Sequence, residues 1–99
     1  MNAVNLSDEF RAWFGGLKDL TARVKILRRI ERLESGNPGD VKHFDGLSEM
    51  RIDHGPGYRV YYIKEGIDIY LVLAGGAKST QRADITKAKA MLADRKRSH

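Results

Sequence analysis

No segment limits the fold as tightly as residues 67–74, Ile-Asp-Ile-Tyr-Leu-Val-Leu-Ala, a nearly unbroken apolar run followed by Gly75-Gly76. It falls far short of the roughly 20 residues that span a bilayer. Continuous apolarity over so short a stretch is the pattern of an interior strand covered on both faces, and the glycine pair is expected to end it. The chain must therefore supply neighbouring strands and something to lay against them.

Those strands lie just upstream. Met50 and Ile52 alternate with Glu49, Arg51 and Asp53, which predicts a strand with one dry and one wet face. His54-Gly55-Pro56-Gly57 turns the chain, and Tyr58 to Ile63 returns with Val60 and Tyr62 on one side and Arg59 and Tyr61 on the other. Glu65-Gly66 predicts the second turn of a three-stranded meander. At the N-terminus, residues 2–6 read as a short strand. Ser7, followed by Asp8 and Glu9, reads as the cap of a helix over 8–15 that stops at Gly15-Gly16. Leu20, Val24, Leu27, Ile30 and Leu33 fall at helical spacing over 19–35, with Gly36 as C-cap and Pro38 beyond. The other face of that helix carries Arg23, Lys25, Arg28, Arg29 and Arg32. Ser79 or Thr80 caps a last helix over 81–96.

The expected fold is α+β: one domain over 1–99, a twisted, mainly antiparallel sheet with an N-terminal helix hairpin on one face and a C-terminal helix. The opposite face is expected to be open and to carry Glu49, Arg51, Asp53, Arg59 and Tyr61. Two guanidinium groups would then serve one anionic ligand.

Composition narrows the function. The 99 residues contain no cysteine, which excludes disulfides, thiol nucleophiles and zinc–thiolate sites. Eighteen Lys and Arg against thirteen Asp and Glu give a net charge of +5, which favours a polyanionic partner: RNA, DNA or an acidic protein. The start, Met-Asn-Ala-Val-Asn-Leu-Ser-Asp, lacks a signal-peptide pattern, and a cytoplasmic protein is expected.

Arg51 and Arg59 are the foremost candidates for chemistry, because guanidinium groups on a rigid strand make permanently charged, bidentate contacts to phosphate. A cross-strand salt-bridge ladder with Glu49 and Asp53 is the competing reading. Lys42 suits a backbone phosphate; His43 and His54 suit proton exchange near neutral pH. His43 and His54 with Asp45, Glu49 or Asp53 show no familiar metal-ligand spacing, so neither metal nor cofactor is expected. Ala74-Gly75-Gly76-Ala77-Lys78-Ser79-Thr80-Gln81 brings Lys78 and two hydroxyls to a glycine-rich strand end, but without Walker A spacing. Tyr61 is the tyrosine placed to meet RNA on the expected open face.

The blocks F-R-A-W-F-G-G-L-K-D, A-R-V-K-I-L-R-R-I-E-R-L, G-N-P-G-D-V-K, S-E-M-R-I-D-H-G-P-G-Y-R-V-Y-Y and G-G-A-K-S-T-Q occur in this order across residues 10–81. The chain resembles, over about residues 8–93, the HigB-like addiction-module killer proteins of the RelE/ParE toxin superfamily. That resemblance implies a microbial-ribonuclease-like fold and a toxin that enters the ribosomal A site and cleaves mRNA. It also implies neutralisation by a helix-turn-helix antitoxin. The cleavage arginine of the family maps to Arg59, its acidic and basic pair one strand earlier to Glu49 and Arg51, and two motif lysines to Lys42 and Lys78. The chain departs at Ala77, where the family usually has aspartate, and carries no histidine or tyrosine in 74–82 to act as general acid.

On this reading the ribose 2′-hydroxyl attacks the adjacent phosphate without a metal. Glu49 takes the proton, with His43 or His54 as substitute; Arg59 and Arg51 stabilise the phosphorane; Lys78 assists the leaving oxygen. The arginines and lysine of the second helix would dock on ribosomal RNA, and an acidic antitoxin segment would cover the same surface. The alternatives are a ParE-like inhibitor of DNA gyrase that cuts nothing and a non-catalytic RNA-binding module.

Overall fold

The computed structural model describes residues 2–97. Strand β1 (Ala3–Leu6) leads into helices α1 (Asp8–Gly15) and α2 (Leu20–Glu34). Strands β2 (Val41–Phe44), β3 (Leu47–Ile52), β4 (Tyr58–Gly66) and β5 (Ile69–Ala77) follow, then a 3-10 turn (Lys78–Thr80) and helix α3 (Gln81–Arg97). The strands form one sheet in the order β1-β5-β4-β3-β2, with β1 parallel to β5 and the other pairs antiparallel. The fold is α+β with a mixed five-stranded sheet. No helix among the described residues is long and apolar enough to cross a membrane.

Local chemistry fixes the element ends. The Ser7 hydroxyl accepts from the Phe10 N–H at 3.0 Å and donates to the Leu73 carbonyl at 2.6 Å, so one side chain both caps α1 and moors it to β5. Asp19 caps α2 by accepting from the Ala22 N–H at 3.0 Å. The meander is longer than expected: β2 adds an edge strand, paired with β3 through a two-residue turn at Asp45 and Gly46, both at positive φ. Asp-Gly is the residue pair such a turn demands. The β4–β5 hairpin turns at Ile67-Asp68, not at Glu65-Gly66, because Gly66 already pairs with Ile69. Ile67 is consequently exposed.

Alternation along the strands divides the core in two. Met50, Ile52, Val60, Tyr62 and Val72 meet Phe10 of α1 and Ile26, Ile30 and Leu33 of α2. Tyr61, Ile63, Leu71 and Leu73 meet Ala88, Ile85, Met91 and Leu92 of α3. The expected open face is therefore mostly closed: α3 covers it, and Glu49 and Tyr61 are buried. The α2 stripe matches expectation at Ile30 and Leu33 and differs over its first half. Ala22, Ile26, Ile30 and Leu33 form its buried stripe, whereas Leu20 is 70% exposed, Val24 47% and Leu27 43%. Two apolar stripes exist at helical spacing, and tertiary contacts choose between them.

Gly75 and Gly76 do not end β5, which continues to Ala77. They let helices approach from opposite sides. A Cβ on Gly75 would lie 2.4 Å from the Trp13 ring, and one on Gly76 would lie 1.8 Å from the Asp84 carboxylate.

Candidate anion-binding site

Beyond the N-terminal end of α3 the sheet face opens into a cleft of about 440 Å³. Arg51, Arg59 and Lys78 line it with Asp40, Asp53 and the Gly55–Gly57 turn. The antiparallel register puts Arg51 directly opposite Arg59. Like charges facing across a strand pair are destabilising, so the arrangement calls for a counter-charge. Arg51 has a partial one: its Nη2 lies 3.2 Å from Asp40 Oδ1 in a largely exposed pair. Arg59 has no ion pair among the described residues, and its guanidinium donates to the Tyr58 carbonyl at 3.3 Å. The Nε atoms of both arginines are buried without a hydrogen-bond partner. Buried donors left unpaired are unfavourable, and an anion in the cleft would relieve them.

Backbone contacts bring Lys78 to this place. Its N–H donates to the Gly57 carbonyl at 2.6 Å, tying the start of the 3-10 turn to the β3–β4 turn. Gly57 adopts φ 80°, a conformation that suits glycine.

Glu49 stands apart from the other expected catalytic groups. It is 2% exposed, beneath α3, and its Oε2 accepts from Gln81 Nε2 at 2.8 Å. The Tyr61 hydroxyl is buried beside it without a geometrically complete hydrogen bond. Burial, and then the adjacent Glu49 carboxyl, push the Tyr61 pKa up, which keeps its proton on. Tyr61 is thus a core residue and not a stacking platform for RNA. The carboxylates that line the cleft are Asp40, which was not among the candidates, and Asp53, expected on this face only as an ion-pair partner of the arginines.

The remaining expected RNA-binding residues divide by environment. Lys42 and His43 are exposed on edge strand β2, Lys42 near the Phe44 ring at 5.8 Å and His43 Nδ1 2.7 Å from the Ser48 hydroxyl. His54 Nε2 lies 3.0 Å from Asp19 Oδ2, joining the turn to the cap of α2. The Ala22 N–H is the main cause that lowers the Asp19 pKa, with His54 contributing. Arg23 sits over the Phe14 ring at 5.0 Å. Lys25, Arg28 and Arg32 are exposed on α2. Arg29 is engaged internally: it donates to the Pro38 carbonyl at 2.9 and 3.3 Å, to Asp40 at 3.0 Å and to Arg51 at 2.5 Å. Burial, with Arg32 next in effect, lowers its pKa.

The cleft thus gathers Arg51, Arg59 and Lys78 and leaves Lys42, His43 and the α2 cations elsewhere on the surface. Sequence reasoning missed Asp40 as the Arg51 partner and Gln81 as the group holding Glu49. Gln81 was visible as the last residue of Gly-Gly-Ala-Lys-Ser-Thr-Gln, but only the α3 packing shows what it touches.

Comparison with known proteins adds a family. The model of the family described as phage derived protein Gp49-like (DUF891) matches residues 12–97. A protein of Haemophilus influenzae, itself described as uncharacterized, is 49% identical over 81 residues, 81% of this chain and 82% of the relative. No solved structure matches. A match over so much of the chain shows that it belongs to the Gp49-like phage-derived family.

Proposed function

We propose that this protein is the toxin of a type II toxin–antitoxin module and a metal-independent, ribosome-dependent mRNA endoribonuclease. The Gp49-like family is toxin–antitoxin-associated in general, and the motif resemblance to HigB-like killer proteins of the RelE/ParE superfamily, with its microbial-ribonuclease-like fold, supports the finer reading. One observation carries the chemistry: Arg51 and Arg59 face each other across two strands, with buried, unpaired Nε atoms, in a cleft shared with Lys78.

In the proposed reaction a phosphodiester occupies that cleft. The neighbouring 2′-hydroxyl attacks phosphorus and gives its proton to Asp53, the cleft carboxylate with no ion pair among the described residues. Arg59 and Arg51 stabilise the charge on the phosphorane, a role that suits a group never deprotonated at working pH. The 5′ oxygen leaves with a proton from Lys78, and a 2′,3′-cyclic phosphate remains. Glu49 takes a positioning role: with Gln81 it anchors the start of α3 to β3, next to Arg51. Exposed Lys25, Arg28 and Arg32 would face ribosomal RNA, and an antitoxin would cover the exposed Leu20, Val24 and Leu27 stripe beside them.

Primer extension on a defined mRNA, with and without programmed ribosomes, tests the reading. Cuts that need ribosomes and disappear in Arg59→Ala support it. Intact mRNA with folded, antitoxin-free protein refutes nuclease action and leaves a partner-binding toxin, with gyrase the target to assay.

A further inference from the structure

A second cavity, of about 410 Å³, lies across the Pro56 turn from the anion cleft, and the proposed reaction does not use it. It exists because β1 stops opposite Val72, so β5 from Ala74 onward has a strand neighbour on its β4 side alone. Helices α1 and α3 flank that bare edge. Trp13 and Tyr58 supply aromatic surface, their centroids 6.2 Å apart in an edge-to-face arrangement. The backbone of Gly75 and Gly76 contributes to the lining, without side chains of its own. From α3, Asp84 enters close to Gly76 and accepts from the Thr80 hydroxyl at 2.6 Å; Glu9 of α1 adds a second carboxylate, paired at 3.6 Å with Lys87, which also lines the cavity. The two cavities are neighbours along the chain as well: Tyr58 lines one and Arg59 the other, as do Ala77 and Lys78.

Aromatic surface, a strand edge without a neighbouring strand and the Asp84 carboxylate suit a flat heterocycle with N–H donors. Next to a phosphate-sized cationic cleft, that heterocycle is a base of the same nucleic acid. We infer that this cavity holds a nucleobase of the RNA whose phosphate occupies the Arg51–Arg59 cleft, and that it prefers guanine to uracil. The inference rests on the proposed RNA reading. Guanine offers adjacent ring N–H and amino donors to Asp84. Uracil offers one N–H between two carbonyls, which a carboxylate repels.

Trp13 is the chain's one tryptophan, so its emission reports on this cavity directly. The purified protein is titrated with guanosine 5′-monophosphate, uridine 5′-monophosphate and ribose 5-phosphate. Guanosine monophosphate is expected to quench Trp13 saturably, uridine monophosphate about tenfold more weakly and ribose 5-phosphate not at all. Asp84→Asn is expected to lower the guanosine affinity about tenfold, the effect of one charge-assisted hydrogen bond. Equal responses to ribose 5-phosphate and guanosine monophosphate would overturn the inference, as would an Asp84→Asn titration matching wild type. If Asp84→Asn does not fold, the shift of the wild-type Trp13 indole N–H signal with each ligand decides the question. The two readings fail separately. Base-dependent quenching without ribosomal cleavage leaves the pocket and removes the nuclease; Arg59-dependent cleavage with a silent Trp13 does the reverse.

Discussion

Replacing Arg59 by methionine should make the protein more stable and less able to bind phosphate. The side chain faces Arg51 across the ladder, a like-charge pair that costs about 0.2–1 kcal/mol. Its Nε is buried without a partner, a penalty of about 1–3 kcal/mol in a fully dry site and less in this half-buried one. Against these stands one long hydrogen bond, 3.3 Å to the Tyr58 carbonyl, worth at most about 0.5 kcal/mol. Methionine keeps most of the apolar stem. The balance is a gain of about 1 kcal/mol, or roughly 1 M in the urea midpoint for a domain of this size. Added inorganic phosphate should raise the wild-type midpoint further, by about 1.4 kcal/mol at ten times its dissociation constant, and should leave Arg59→Met unmoved. Ribosome-dependent cleavage should fall about a hundredfold, near 3 kcal/mol in the transition state. A lower urea midpoint for Arg59→Met would show that Arg59 holds the fold together, and the counter-charge reasoning would be wrong.

Arg29→Ala removes the hydrogen bonds to the Pro38, Asp40 and Arg51 carbonyls and should destabilise by about 2–3 kcal/mol, whereas the exposed Arg32→Ala should stay within about 0.5 kcal/mol; urea unfolding of both separates a clamp from a surface charge. Arg29→Lys should recover little of the loss, since the three donors of an ammonium sit on one nitrogen and cannot reach the separated carbonyls that Nε, Nη1 and Nη2 of Arg29 span. Gly76→Ala places a methyl where the Asp84 carboxylate sits and should cost about 2–3 kcal/mol while displacing the start of α3, read by thermal unfolding and by loss of the Gln81–Glu49 contact in a crystal. The Tyr61 pKa is raised above its ordinary 10.0, so below pH 10 both folded and unfolded states hold the proton and stability is full. Above pH 10 the unfolded state loses the proton first, and stability should decline by about 1.4 kcal/mol per pH unit from this group. Urea midpoints between pH 8 and 11 check this, with Tyr61→Phe abolishing that part of the slope.

Much of the candidate site could be read from the chain. Strict alternation around the His54–Gly57 turn placed Arg51 and Arg59 on one face, and the observed register sets them opposite each other. The β2 strand was legible in principle, since Asp45-Gly46 is a strong hairpin signal, but the flanking strand is only four residues long. Period gave no ruling on α2, where 20/24/27 and 22/26/30/33 are both apolar stripes. The Arg29 hydrogen bonds to the 38–40 loop and the end of β3 help lock the observed rotation, and these partners are distant in sequence.

Local chemistry therefore determined the elements: caps at Ser7 and Asp19, glycine turns, alternation along β3 and β4, and an interior β5 covered on both faces. It also determined the basic charge and the cluster of cations near the glycine-proline turn. Tertiary structure alone decided that α3 closes the face expected to be open, burying Glu49 and Tyr61 and leaving Asp40 and Asp53 to line the cleft. It also decided that Gly75 and Gly76 make room for Trp13 and Asp84 instead of ending the strand. The reason is physical. A period of two assigns side chains to faces, but which face is covered, and how far, depends on where a helix from elsewhere in the chain comes to rest.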